Sequence, residues 1–434
     1  MSMIAVTSER PTKRPASPPE GSPPCKRRED DQSSPTTSTS QIFRWLTPID
    51  LDHTLIRPLQ GQRFYHDALD WEWWTPSRPD KDRTKEEDED MVINRLKQLH
   101  AQGYAIVVFT SQRLDKTEWW SAYKKRLAIV ANKLDVPARY FTSTDYDIYR
   151  KPVHGAWLAF VNKYNGGRSV DLSRSFFVGD AGGFGTSELD WDRKFAHNID
   201  MPYLSPRQFF LKDEPSSKWS YKGWVSSRVN QSVPLYTPTN TPLIPRPLGE
   251  FDPPVLDIVV LLGAPGAGKT SFAQKHFRAA GYVYTNLQQS SRDPISAVQK
   301  ALSRKPPPSL VIDAPINKAE ARQTLIKTIR QASPSHRVRL LFFTAPEMLA
   351  KHNNVVSTLF DQTQAQKEGR ERAFTTEIDY RRYYADFSPP TIAEGWDEIK
   401  HINFKFDASG EDGPQRLKQW RLFLNCYPRD STKK

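Results

Sequence analysis

Cysteine is scarce in this chain: two occur among 434 residues, Cys25 and Cys426. Two thiols cannot build a disulfide framework or a cysteine-rich zinc site, so a reducing compartment is expected. Long apolar runs are missing too. None approaches the roughly 20 residues that span a bilayer, so no membrane partner is expected. The first residues are polar and Pro-rich, unlike the apolar core of a secretory signal, and an intracellular soluble protein is anticipated. No internal repeat is visible. Acidic residues are outnumbered, 50 Asp and Glu against 62 Lys and Arg, for a formal net charge of +12. The sequence pI is about 9.4. That balance favours an anionic partner such as nucleic acid, because basic side chains displace counterions from phosphates. A single basic tail on an ordinary soluble protein would give the same sum.

Residues 1–40 are rich in Pro, Ser and Thr and poor in apolar side chains. Such a segment cannot bury enough surface to offset chain entropy, and a disordered tail is predicted. It carries Lys13-Arg14 and Lys26-Arg27-Arg28. The spacing resembles a bipartite nuclear import signal, which implies import receptors as partners and a nuclear location; a solvated basic tail is the alternative. Short apolar runs at Phe43–Ile49, Ala105–Phe109 and Ser175–Val178 read as buried parallel strands. Helical patterns at Asp90–Gln102, Glu118–Leu134 and Gly155–Lys163 lie between them. Alternation of this kind means an α/β sheet with ligands at the carboxyl ends of the strands. Residues 214–254 hold Pro215, Pro234, Pro238, Pro242, Pro245 and Pro247 and read as a linker, although Trp219, Tyr221 and Trp224 suggest that parts of it pack. A second α/β unit follows, with strand-like runs at Ile258–Leu262, Tyr282–Thr285, Leu310–Ile312 and Val338–Phe343.

The first strand ends in Asp50-Leu51-Asp52-His53-Thr54-Leu55. Aspartates at i and i+2 on an extended ending face the same way. One can attack phosphorus while the other handles a proton. A carboxylate attacking an anionic phosphate needs charge neutralisation, so Mg²⁺ is expected. The second strand ends in Thr110-Ser111-Gln112, whose hydroxyl can hydrogen-bond a phosphoryl oxygen. Lys151, in Tyr149-Arg150-Lys151-Pro152, can stabilise equatorial oxygens. The third ends in Gly179-Asp180 and supplies another metal carboxylate. Each piece alone is common, and Thr110 could as well be a cap and Lys151 a surface lysine. Together and in this order they specify a phosphoryl-transfer site.

These residues resemble the haloacid dehalogenase phosphatase superfamily, and more closely the phosphatase domain of the polynucleotide kinase 3′-phosphatase family. The likeness is carried by Asp50–Ile56, Val108–Gln112, Tyr149–Val153, Phe177–Ala181 and Asp192–Asn198, and covers about residues 41–213. It implies that Asp50 is the nucleophile and Asp52 the general acid, then base. It implies Mg²⁺ on Asp50, the Asp52 carbonyl and Asp180, with Thr110 and Lys151 gripping the phosphoryl group and Ser111 beside them. Asp192 would lie on the metal side or simply start a helix. The implied substrate is DNA with a 3′-phosphate. The family usually has Gly where this chain has His53, so that side chain must point away from the phosphate or touch the substrate. Beyond Gln112, Trp120, Tyr123 and Ile129 have core spacing. Arg113 and Lys116 are the better candidates for DNA contact. Trp71, Trp73 and Trp74 could wall the mouth of the site or pack beneath it.

In the second unit, Ile258–Leu262 runs into Gly263-Ala264-Pro265-Gly266-Ala267-Gly268-Lys269-Thr270 and then a helical pattern over Ser271–Ala279. This is a full Walker A pattern in its strand–loop–helix setting. Glycines admit backbone N–H groups to phosphates. Lys269 would reach the β/γ-phosphates and Thr270 the Mg²⁺ of bound ATP. Asp313 ends the next strand and could act on Mg²⁺ or on the acceptor, a turn-forming Asp being the alternative. This half resembles the 5′-hydroxyl kinase domain of the same family through Ala279–Val283, Lys351–Asn354 and Pro390–Gly395. The likeness covers about residues 255–428. Phosphatase before kinase matches the animal and fungal DNA repair arrangement. The forkhead-associated domain of some relatives is not expected, nor the docking it would bring. Where the family has Asn-Arg-Asp, with its acceptor-activating Asp, the chain reads Asn286-Leu287-Gln288; Arg292-Asp293 is a possible substitute. Val355 and Val356 replace basic residues, and Tyr383-Tyr384 replaces Tyr-Arg after Arg381 and Arg382. Nucleotide binding is expected, and kinase turnover is left open.

The expected architecture is two doubly wound parallel-sheet α/β domains, a Rossmann-like haloacid dehalogenase fold and a P-loop NTPase fold, in a monomer. Three other functions remain in view: a fully bifunctional kinase/phosphatase, a phosphatase for small esters or phosphoproteins, and a non-catalytic DNA-end-binding scaffold.

Overall fold

The structure is a computed structural model and describes residues 3–8, 43–59, 64–76, 85–114, 116–184, 189–245, 256–287, 294–305, 307–314, 316–361 and 374–424. It divides into two compact units, Met1–Lys222 and Gly223–Lys434. The basic clusters at 13–14 and 26–28, both cysteines, Gln288, Arg292 and Asp293 lie outside the described residues.

The strands of the first unit are β1 (Met3–Ser8), β2 (Leu46–Ile49), β3 (Ala105–Ser111), β4 (Ala138–Ser143), β5 (Phe177–Val178) and β6 (Tyr203–Leu204). They form one sheet in the order β1-β4-β3-β2-β5-β6. All pairings within it are parallel except that of β1 with β4. Along β3, Ile106 and Val108 join one apolar cluster with Val92, Leu96, Leu127 and Val130, while Val107 and Phe109 join another with Trp157, Phe160 and Phe195. The strand is therefore buried on both faces, which is why its sequence is a continuous apolar run and not an alternating one. The first cluster seats α1 (Lys85–Ala101), α2 (Thr117–Leu134) and α5 (Pro206–Leu211). The second seats α3 (Gly155–Ala159), which continues as a π-helical turn over Phe160–Tyr164, and α4 (Trp191–Asn198).

Two local readings need correction. The expected strand Phe43–Ile49 is interrupted at Trp45; Phe43–Arg44 pairs instead with Ser169–Val170. Met3–Ser8 falls inside the segment read as a disordered tail but forms six register pairs with β4, covering that sheet edge. The stretch 214–254 packs in part, as its aromatic residues suggest. Lys222 N–H donates to Asp190 (2.7 Å) within the first unit. In the second unit Tyr236–Thr237 pairs with a strand and Leu243 is buried in the core.

That second sheet comprises β7 (Tyr236–Thr237), β8 (Asp257–Leu262), β9 (Val283–Asn286), β10 (Leu310–Asp313), β11 (Arg337–Phe343) and β12 (Glu398–Ile402), in the order β7-β12-β11-β8-β10-β9. Only β7 runs antiparallel. Again the central strand splits by parity: Ile258, Val260 and Leu262 face one cluster, Val259 and Leu261 the other. The helices are α6 (Lys269–Ala273, continuing as a π turn), α7 (Pro294–Leu302), α8 (Ala319–Ala332), α9 (Glu347–Phe360), α10 (Glu377–Ala385) and α11 (Gly413–Arg421). A buried ionic group holds the incoming segment. Arg339 pairs with Asp257 and Glu398 and donates to the Leu243 carbonyl (3.0 Å). Lys400 donates to the carbonyls of Pro238 (3.0 Å) and Thr241 (2.9 Å). Among the described residues no helix is long and apolar enough to cross a membrane.

Candidate active sites

In the first unit, register converts sequence order into proximity. Ile49 on β2 stands opposite Val108 on β3 and Val178 on β5. The residues just beyond, Asp50, Thr110 with Ser111, and Gly179 with Asp180, therefore emerge together at the carboxyl edge of the sheet. Asp50 is buried, and its N–H donates to the Val178 carbonyl (2.9 Å). Its Oδ1 accepts from Lys151 Nζ at 2.5 Å, and the same ammonium reaches Asp192 Oδ1 at 2.6 Å. Thr54 Oγ1 donates to Asp50 Oδ2 (3.4 Å). Asp192 Oδ2 accepts the Ala181 N–H (3.0 Å). Gly179 makes this convergence possible, because a Cβ there would lie 2.5 Å from the Asp192 carboxyl carbon. The sequence left Asp192 between a metal-side role and a helix start. It lies fully buried in the first turn of α4, with its carboxylate on Lys151 and close to those of Asp50 and Asp180.

Asp50, Asp180 and Asp192 each offer an oxygen, all within 4.8 Å of one another. Burial pushes the Asp50 carboxyl up to about 7, with Asp192 and Asp52 adding and Lys151 opposing. Asp180 is likewise raised by burial, then by Asp192 and Asp50. Lys151 is held protonated: burial disfavours its charge, but Asp192 and Asp50 outweigh that. Three carboxylates against one lysine leave excess negative charge, which a hard divalent cation with oxygen ligands relieves. The donor set therefore fits Mg²⁺.

Asp52 is only half-buried and faces a different set of partners. Thr110 Oγ1 donates to its Oδ2 (3.4 Å), and Gln112 Nε2 donates to that same oxygen and to Thr110 Oγ1 (2.8 Å). Ser111, on the opposite face of β3, accepts the Lys151 N–H (3.2 Å). The two aspartates thus share a loop but not an environment. His53, which follows Asp52, has φ +60° with an exposed side chain, so it points away from the buried carboxylates at the cost of a left-handed backbone. Gln112, Thr54 and the Lys151–Asp192 pair were not legible as site features, although Thr110-x-Gln112 at strand spacing was an available signal. Trp71 and Trp74 are buried in the core and Trp73 packs against it, as do Trp120, Tyr123 and Ile129. Arg113 and Lys116 are exposed, with Lys116 Nζ 4.9 Å from the Trp119 ring centre.

In the second unit, Gly263–Thr270 joins β8 to α6. Gly266 has φ +78°, and a Cβ there would lie 2.1 Å from the Ala350 carbonyl oxygen of α9. Only glycine meets both demands. Gly268 has φ +94°. Gly263 lies against Phe343, where a Cβ would approach to 2.7 Å. Lys269 Nζ donates to the carbonyls of Gly263 (2.8 Å) and Ala264 (3.2 Å). Burial lowers its pKa, opposed by nearby Asp313. Thr270 is half-buried in the first turn of α6. Asp313 closes β10 and accepts from Tyr284 Oη (3.1 Å); its Oδ1 is buried without a hydrogen bond among the described residues. The loop is buttressed from outside. Asn353 Nδ2 donates to the Gly266 carbonyl (3.1 Å), Trp420 Nε1 to Asn353 Oδ1 (2.8 Å), and Tyr380 Oη to the Pro265 carbonyl (3.1 Å). Val355 is a core residue of α9, which accounts for its apolar character.

A family model described as polynucleotide kinase 3 phosphatase matches residues 46–210. A bifunctional polynucleotide phosphatase/kinase of Schizosaccharomyces pombe is 29% identical over 368 residues, covering 84% of this chain and 80% of its own length. A putative bifunctional polynucleotide phosphatase/kinase of Acanthamoeba polyphaga mimivirus is 29% identical over 364 residues, 76% of this chain and 83% of its own. The polynucleotide 3′-phosphatase ZDP of Arabidopsis thaliana is 30% identical over 145 residues, 29% of this chain and 20% of its own. Matches to the two bifunctional proteins extend well beyond residues 46–210 and so take in the P-loop unit. The chain is an enzyme similar over most of its length to bifunctional polynucleotide phosphatase/kinases, and its residues 46–210 match the polynucleotide kinase 3 phosphatase model.

Proposed function

We propose that the first unit is a Mg²⁺-dependent polynucleotide 3′-phosphatase acting on DNA strand-break ends through an aspartyl-phosphate on Asp50. The observation that carries this reading is the buried Asp50–Lys151–Asp192 group at the carboxyl edge of the sheet, with Asp180 beside it. An Asp50 oxygen attacks phosphorus, and the bond from phosphorus to the 3′ oxygen breaks. Asp52 gives its proton to that oxygen, which leaves as a hydroxyl. Water then attacks the phosphoryl-Asp50, yielding a proton to Asp52; the P–O bond to Asp50 breaks and phosphate departs. Lys151 offsets charge on the equatorial oxygens, and Thr110 offers them a hydroxyl. Bound by Asp50, Asp180 and the Asp52 carbonyl, with Asp192 alongside, Mg²⁺ would neutralise charge between nucleophile and phosphate. The deciding experiment measures phosphate release from a 3′-phosphorylated DNA oligonucleotide with Mg²⁺. Wild type should turn over, and Asp50→Asn should lose at least roughly 10³-fold. Binding of DNA ends without any release would favour a scaffold, and preference for a small ester would reassign the substrate.

A second activity is favoured by the intact phosphate loop: ATP binding at Gly263, Gly266, Gly268, Lys269 and Thr270, with Asp313 on the Mg²⁺ side. The relatives named bifunctional support 5′-hydroxyl kinase activity, whereas Gln288 lacks the carboxylate that would take the acceptor proton. ATP-dependent labelling of a 5′-hydroxyl oligonucleotide decides this point. A nuclear role in DNA repair rests on Lys13-Arg14 and Lys26-Arg27-Arg28. A fluorescent fusion that stays nuclear with all five changed to Ala would remove that support.

A further inference from the structure

Asp50 and Asp52 are two residues apart, yet different chemistry holds each in place. Lys151 brings a positive charge to Asp50. Among the described residues the donors to Asp52 are neutral: the Gln112 amide and the Thr110 hydroxyl go to Oδ2, and the Tyr65 phenol also lies against the carboxylate. Its Oδ1 is buried and has no hydrogen bond among the described residues. One oxygen is therefore tethered and the other is left without a hydrogen bond. The tether is itself fixed. Gln112 N–H donates to the Ser143 carbonyl (2.8 Å), and the Gln112 carbonyl accepts from Arg150 Nη1 (2.9 Å). Gln112 follows Thr110 by two residues, so both side chains leave the same face of the extended chain and bracket one carboxylate oxygen.

We infer that Gln112 is a positioning residue: its amide clamps Asp52 Oδ2 and so fixes the orientation from which the Asp52 carboxyl protonates the oxygen that leaves the phosphorus. The inference rests on the phosphatase reading above and deepens it. In the step concerned, Asp50 forms its bond to phosphorus, the ester P–O bond breaks, and the electron pair of that bond takes the proton from the Asp52 carboxyl. A neutral amide orients the carboxyl without bringing a charge to it, whereas a lysine in its place would add one. Misplacing the Asp52 carboxyl matters only where the leaving oxygen needs a proton, as the 3′ oxygen of a sugar does and a nitrophenolate does not.

The test uses the full chain with Mg²⁺ and compares kcat/KM, which reports steps up to departure of the leaving group, on two substrates. One is a 3′-phosphorylated oligonucleotide, the other p-nitrophenyl phosphate. For Gln112→Met, which keeps the side-chain length and removes the donor, kcat/KM should fall by about 10²-fold on the oligonucleotide and by at most about threefold on the aryl ester. Gln112→Glu serves as a second variant should Met disturb folding. It keeps the shape but sets two carboxyl groups against each other, and the same split is expected. Equal falls on both substrates would make Gln112 a merely structural residue, and no fall on either would make it dispensable; each result overturns the inference and leaves the phosphatase reading standing. A wild type that releases phosphate from neither substrate overturns both.

Discussion

The two phosphate-handling sites are built from opposite materials. In the first unit the site is a set of charged side chains at and beside adjacent strand ends, and its charge is only partly paired: Asp50 and Asp192 share Lys151. In the second unit the site is mainly backbone, a glycine loop whose lysine rests on the loop's own carbonyls. A side-chain site is defined by which groups it holds, so changing one atom type can end its chemistry. A backbone site is defined by path, so an added methyl does equal harm. The same contrast explains why the first site tolerates His53 in place of glycine, whereas Gly266 has no room for any side chain.

The largest expected effect tests whether the sites are separable. Asp50→Asn should abolish phosphate release while ATP affinity, read by calorimetry, stays within about twofold. Lys269→Ala should cost roughly 10²-fold or more in ATP affinity, with phosphate release retained. Cross-talk in either direction would break the contrast. Next come the paired glycines. Gly266→Ala should weaken ATP binding by about 10²-fold and lower the unfolding midpoint of its unit, because the methyl meets a main-chain carbonyl. Gly179→Ala should displace Asp192 and slow phosphate release by about 10²-fold.

A smaller effect separates the units by pH. His352 stacks on Trp224 with ring centres 3.6 Å apart, its Nε2 lies 2.7 Å from the Trp420 carbonyl, and burial lowers its pKa to about 3. The unfolded chain has the ordinary value near 6.5, so it binds more protons than the folded one between these limits. Stability from neutral His352 is complete above about pH 6.5 and is lost as pH falls toward 3, amounting to about 2 kcal/mol by pH 5. Urea unfolding of the second unit at pH 7 and pH 5 measures it, and His352→Gln should flatten the difference. The smallest effect concerns His53. Glycine there relieves left-handed strain but loosens the unfolded chain, so His53→Gly should stabilise the first unit by less than about 1 kcal/mol in chemical unfolding.

Legibility followed the same division. Asp50, Asp52, Thr110 and Asp180 stand out in the sequence because chemistry-bearing residues follow apolar runs, and strand ends are where such residues meet; Lys151 stands out only beside them, as part of a basic pair. Partners that act across 40 to 60 residues did not: the Gln112 amide on Asp52, 60 residues away, and Lys151 on Asp192, 41 away, are set by register and helix placement. Asn353 reaches Gly266 across 87 residues for the same reason. The strands Ala138–Ser143 and Glu398–Ile402 were also unread, since Arg139 and Lys400 interrupt any apolar run. Lys400 is tolerated inside because Thr241 and Glu398 surround its ammonium.

By itself the sequence determined the two α/β units, their order, the apolar runs that must be buried on both faces, and the residue types able to attack phosphorus or cradle a phosphate. These are local properties, set by side-chain chemistry and by the two-residue period of a strand. Only the tertiary structure decided which carboxylate is paired with a cation, which is held by an amide, and which proline-rich stretch is bound into a sheet. Those outcomes depend on which strands become neighbours and in what register, and no local pattern carries that information.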